Sequence, residues 1–77
     1  MPKFIDSHQK TQVDVQILKD AIDAPIDEFG VKVERFFYNI EAGMIFCVLN
    51  APNKQAVVKH HEKYNSKCET IYEIKEI

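Results

Sequence analysis

Five side chains of a kind that binds transition metals occur in a chain of only 77 residues: His8, Cys47, His60, His61 and Cys68. Imidazole and thiolate ligands suit nickel, zinc, copper or iron, and they suit magnesium and calcium poorly. The cysteine spacing matches neither a zinc finger nor a redox pair, so the fold itself would have to assemble a metal site. The sequence has no glycine-rich phosphate loop, no GxSxG and no HExxH motif, and it names no catalytic residue or organic cofactor.

Six short elements must position these side chains. Hydrophobic patterns predict strands over residues 3–9, 31–40, 44–51 and 69–77, and helices over residues 13–29 and 53–65. Pro25 should break the first helix near Ala24, Gly30 should end that helical region, and Asn53 should cap the second helix. The order βαββαβ predicts one α+β, ferredoxin-like domain over residues 1–77, with both helices on one face of a four-stranded antiparallel sheet in the order 4-1-3-2.

The alternation of side chains along a strand places two polar candidates on one face of the first strand. Asp6 and His8 are two residues apart, and Asp6 could orient His8 or join it on a metal. Cys47, on the third strand, should lie across the sheet from this pair. A buried, inert thiol is the commoner role for such a cysteine. These three residues therefore form the first candidate group.

The second helix carries the remaining candidates. A stripe through Ala56, Val57, His60 and Tyr64 predicts that His60 faces inward and that His61 lies beside the stripe. Adjacent helical residues point about 100° apart, so the two histidines should not share one ion. A buried histidine bonded to backbone is the favoured role of His60, and for His61 structural and ligand roles remain open. Cys68 follows the helix and could pair with His61.

The second and third strands are apolar on both faces. On the third strand, one face carries Met44, Phe46 and Val48, and the other carries Ile45, Cys47 and Leu49. On the second strand, Phe37 is on one face, and Phe36 and Tyr38 are on the other. Two helices cover only one face of a sheet, and soluble monomers rarely expose a large apolar patch. The sequence therefore predicts a homodimer packed sheet to sheet.

The charge balance excludes several partners. Ten Lys and Arg against twelve Asp and Glu give a net charge of -2, which does not indicate nucleic-acid binding. The longest apolar run, residues 44–49, is far shorter than the roughly 20 residues of a membrane span. The N-terminus has no secretory pattern, so we expect a cytoplasmic protein with reduced cysteines.

Three stretches resemble a family of small bacterial and archaeal nickel-binding proteins of ferredoxin-like fold, long listed as a domain of unknown function. They are residues 1–8 (MPKFIDSH), 46–52 (FCVLNAP) and 56–63 (AVVKHHEK). The resemblance implies a dimeric cytoplasmic protein that binds nickel or another divalent transition ion, with His8, His61 and Cys47 matching recurrent family residues. Many relatives carry a further histidine where this chain has Asn65-Ser66, so His60 or Cys68 would replace it.

The leading hypothesis is a small dimeric protein that binds a transition metal, with nickel first, for sequestration or delivery to a metal-dependent partner of unknown identity. The candidate ligands are His8, His61, Cys47, His60, Cys68 and Asp6. The alternative is a dimeric α/β-barrel enzyme that acts on a small organic molecule between sheet and helices. A pure interaction module would need no site at all. The absence of catalytic motifs favours a protein that is not an enzyme.

Overall fold

The computed structural model describes residues 1–9, 14–64, 68 and 70–77. Its elements are β1 (Lys3–Gln9), α1 (Val15–Asp23), β2 (Lys32–Asn39), β3 (Met44–Asn50), α2 (Lys54–Lys63) and β4 (Thr70–Ile74). The antiparallel sheet has the order β2-β3-β1-β4, which confirms the predicted βαββαβ topology. Three predicted boundaries, at Val13, Asn65 and Glu69, lie outside the described residues.

Both helices begin at side-chain caps. The Asp14 carboxylate accepts a hydrogen bond from the Gln16 N–H at 2.7 Å, and the Asn53 side chain accepts one from the Ala56 N–H at 2.9 Å, as predicted for Asn53. Helix α1 stops at Ala24, which is extended because the next residue is proline. The predicted break near Ala24 is therefore confirmed.

A tight loop built around Asp27 leads from α1 into β2. The Asp27 Oδ1 atom accepts hydrogen bonds from the backbone N–H groups of Phe29 and Val31, both at 2.9 Å. Gly30 has a φ of 82°, which residues with a Cβ rarely adopt. The loop fixes the second oxygen of Asp27 in a position that faces α2, as shown by its contact with His60.

The hydrophobic core lies between the sheet and α2. The register pairs Phe4 with Leu49, Asp6 with Cys47 and His8 with Ile45, so these residues share the helix-covered face of the sheet. Val57 of α2 is fully buried in this core. Helix α1, in contrast, has no buried residue. Both helices therefore cover the same face of the sheet, and α2 packs against it more tightly than α1.

The opposite face of the sheet carries the predicted apolar side chains of β2 and β3, together with polar ones such as Ser7, Arg35 and Thr70. Ile5 pairs with Val48 and with Tyr72, and Phe37 pairs with Phe46. Phe37 is 52% exposed and Tyr72 is 62% exposed. No helix in the described part of the chain is long and apolar enough to cross a membrane.

Candidate metal centre

Three buried polar side chains converge beneath α2. Asp6 and His8 project from alternate positions of β1, and His61 comes from the last turn of α2. One donor atom from each residue lies within 4.8 Å of the others, and the residues are only 1%, 4% and 8% exposed. The alternation that predicted a shared face for Asp6 and His8 is confirmed, and the fold adds His61 to that face.

The carboxylate of Asp6 lies between two imidazole rings. Its Oδ1 atom is 3.0 Å from His8 Nε2, and its Oδ2 atom is 2.9 Å from His61 Nε2. Both oxygens are completely buried, so the two imidazole nitrogens are close polar neighbours of a carboxylate that water does not reach. Burial of a carboxylate whose charge is not compensated lowers the free energy of unfolding by roughly 2 kcal/mol or more.

The backbone of α2 determines which nitrogen of His61 faces the carboxylate. His61 Nδ1 lies 2.8 Å from the Val57 carbonyl oxygen, so Nδ1 carries the hydrogen and donates it. In the neutral ring, Nε2 then presents a lone pair to Asp6. Metal-bound histidines commonly donate their other ring N–H to a backbone carbonyl in this way.

Two acceptor atoms that face each other require a positive charge between them. A proton on an imidazole Nε2 supplies it in the metal-free protein, and a metal ion would supply it in its place. A metal ion accepts lone pairs from all three residues at once. Two imidazoles and one carboxylate form a set that binds divalent transition metals and leaves coordination positions open. The residues present therefore fit a metal.

The charge state of Asp6 suits this role. Burial alone would raise its pKa, but the contacts with His61 and then His8 outweigh burial and hold the pKa of this carboxyl below its ordinary value. Asp6 is therefore ionised at neutral pH, as a carboxylate ligand must be.

The predicted orientation of the two adjacent histidines was wrong. His61, not His60, faces the core, because it lies one helical turn after the fully buried Val57. Tyr64, which the predicted stripe placed inward, is 56% exposed. The rings of His60 and His61 are nearly perpendicular, and their centroids are 5.7 Å apart.

His60 belongs to a second acid–imidazole pair that the sequence did not predict. Its Nδ1 atom is hydrogen-bonded to Asp27 Oδ2 at 2.7 Å, while the other Asp27 oxygen accepts two backbone N–H groups. Every oxygen of Asp27 thus has a hydrogen-bond donor. An acidic residue three positions before Gly30 was the available signal, since such residues often accept hydrogen bonds inside a turn.

The two cysteines occupy different positions. Cys47 is buried and lies directly across the sheet from Asp6, and burial raises the pKa of its thiol. Cys68 is partly buried and forms no disulfide bond. The converging group among the described residues consists of Asp6, His8 and His61, so ligand roles for Cys47, His60 and Cys68 stay predictions.

The fold and these contacts define a ferredoxin-like domain with a buried two-histidine, one-carboxylate cluster. A family model described as "Nickel responsive protein SCO4226-like" matches residues 4–74, and the chain belongs to this family. Comparison with curated proteins and with solved structures gave no significant match. The expected family of nickel-associated proteins is therefore confirmed.

Proposed function

We propose that this protein binds a divalent transition metal, nickel first, through Asp6, His8 and His61. The observation that carries the proposal is the convergence of three buried donor groups, in which the two Asp6 oxygens lie 3.0 and 2.9 Å from the Nε2 atoms of His8 and His61. The description of the family supports nickel. Ligand chemistry alone would equally accept zinc, cobalt, iron or copper, so supply in the cell selects the ion.

The proposed working form is a cytoplasmic homodimer joined through the uncovered face of the sheet. The apolar residues of that face support it, since Phe37 and Tyr72 are more than half exposed. Asp6 and His8 point to the opposite face, so each subunit keeps its own metal site.

The proposed role is sequestration or delivery of the ion. Burial of all three ligands favours retention of a metal, because little water contacts the ligand atoms and competes for the ion. Delivery would require a metal-dependent partner that takes the ion from these ligands. Both roles follow from the same coordination step, which is the step to test first.

Elemental analysis of the untagged protein, followed by titration with nickel, zinc and copper, tests the proposal. We expect one ion per chain. Asp6→Asn, His8→Ala and His61→Ala should each weaken binding about 10-fold or more, since losses of this size follow even from removing groups that only support a ligand. His60→Ala is the matched control, because it removes the adjacent histidine, which Asp27 holds outside the cluster.

Circular dichroism of each variant would show that it is folded. Unchanged affinity in all three ligand variants would overturn the site. Loss of binding in His60→Ala equal to that in His61→Ala would move the site toward the Asp27 pair.

A further inference from the structure

A cavity of about 380 Å³ lies between α1, the sheet and α2. Sites for small organic ligands commonly have volumes of about 300 to 1,000 Å³. Most of its wall is apolar, formed by Ile17, Leu18, Ala21, Val33, Phe36 and Leu49. Its polar wall includes His8 and His61 of the metal cluster.

Helix α1 leaves this space accessible. No residue of α1 is buried, and Ile17, which lines the cavity, is 60% exposed. An amphipathic helix normally buries its apolar side against a core. Here that side forms the wall of an open cavity, so an apolar molecule that enters would gain contact with both α1 and the sheet.

The net charge of the proposed metal site favours one kind of polar head group on such a molecule. A divalent ion bound by one carboxylate and two neutral imidazoles retains one net positive charge and open coordination positions. Because His8 and His61 line the cavity, a ligand there can reach the ion. Asp14, Asp20 and Asp27 also line the cavity, and their carboxylates would repel a ligand with two negative charges more strongly than a monoanion that binds the ion.

We propose that the cavity binds a small apolar monocarboxylate, whose carboxylate completes the coordination of the metal and whose body lies between α1 and the sheet. This inference rests on the proposed metal site. It adds the class of organic ligand and assigns α1 to the binding of that ligand.

The probe is 4-fluorobenzoate, observed by fluorine NMR with the protein in excess over the metal. Nickel in a site with open positions is paramagnetic, so a carboxylate bound to it should show a strongly broadened fluorine signal. Zinc-loaded protein gives the diamagnetic reference. The neutral analogue 4-fluorobenzyl alcohol should bind at least about 10-fold more weakly, which corresponds to about 1.4 kcal/mol for the lost charged contact.

A matched pair of variants on α1 locates the probe. Ala21→Leu adds bulk inside the cavity, whereas Lys19→Leu adds the same side chain at an exposed position outside the lining. We expect Ala21→Leu to abolish the broadening and to leave nickel affinity unchanged. Lys19→Leu should leave both unchanged.

The outcomes separate the two proposals. Nickel binding without broadening of 4-fluorobenzoate overturns the ligand proposal and leaves the metal site intact. Equal broadening in Ala21→Leu and the parent chain also overturns it, since the probe would then lie elsewhere. A folded chain that binds no nickel, zinc or copper overturns the metal site and the metal-anchored ligand together.

Discussion

At the scale of single residues, two aspartates in this chain show how surroundings set the role of a carboxylate. Asp27 has hydrogen-bond donors for both oxygens, two from the backbone and one from His60. Asp6 is more deeply buried, and the close polar neighbours of its two oxygens are the imidazole nitrogens of His8 and His61. The first arrangement is complete without a ligand, whereas in the second a proton on an imidazole or a bound metal ion must balance the buried charge.

The position of Cys47 leads to a spectroscopic prediction. Its sulfur stands outside the group of converging donor atoms, so we expect nickel to be bound by nitrogen and oxygen atoms alone. The nickel-loaded protein should lack the intense near-ultraviolet charge-transfer band of a thiolate ligand, and Cys47→Ala should bind nickel as the parent does. A band that disappears in Cys47→Ala would add Cys47 to the ligands.

The Asp27 pair predicts a pH-dependent contribution to stability. Burial opposes ionisation of Asp27, but His60 and the N–H groups of Val31 and Phe29 outweigh it and hold its pKa below the ordinary 3.8. A lowered pKa in the folded state stabilises the protein above the unfolded pKa, and this contribution disappears as pH falls through the folded pKa.

Asp27→Asn should therefore reduce the free energy of unfolding by about 1 to 3 kcal/mol at pH 7. The difference from the parent should shrink below pH 3.8. Urea unfolding of the metal-free protein at pH 7, 5 and 3 measures it, with Asp23→Asn at the exposed end of α1 as the control. An equal difference at pH 3 and pH 7 would argue against a charge-dependent role.

At the scale of the elements, the sequence predicted the strands and helices better than it predicted which side chains contact one another. Strand alternation placed Asp6 and His8 together, and Pro25 and Asn53 marked helix boundaries that the structure confirms. The choice between His60 and His61 failed because both positions lie near the apolar stripe of α2, and the stripe alone does not fix the rotation of the helix about its axis. That rotation depends on Val57 and on the Asp27 loop, which are tertiary contacts.

The loop between α1 and β2 provides a test at this scale. Gly30 has a φ of 82°, and a Cβ atom there would lie 3.2 Å from two ring carbons of Pro52. Gly30→Ala should therefore cost at least about 1 to 2 kcal/mol of stability, from the backbone conformation alone, plus the crowding against Pro52. Gly43→Ala shares the positive φ, but nothing lies within 4 Å of the added atom.

Thermal unfolding of the two variants compares these costs. Gly30→Ala should lower the melting temperature more than Gly43→Ala, because only the first meets a neighbouring ring. Equal shifts would mean that Pro52 moves aside without cost.

At the scale of the whole molecule, one sheet separates two surfaces with different proposed uses. The helix-covered face holds Asp6, His8 and the cavity, and the other face presents apolar side chains to solvent. A domain of this size buries only about 60% of the surface that its unfolded chain exposes, so association through the second face would add stability that the single core lacks. Metal binding and dimer formation should therefore be separable by substitution.

Phe37→Lys tests that separation, because it places a charge in the uncovered face at a side chain that is 52% exposed. We expect sedimentation to show twice the 9.0 kDa chain mass for the parent and the chain mass for Phe37→Lys. Tyr38→Lys is the control, since Tyr38 is on the same strand, is 69% exposed and pairs with Ile45 on the opposite face. It should remain dimeric, and both variants should keep one nickel site per chain. A monomeric parent at micromolar concentration would refute the dimer, while a monomeric Phe37→Lys that binds no nickel would show that each site depends on the partner subunit.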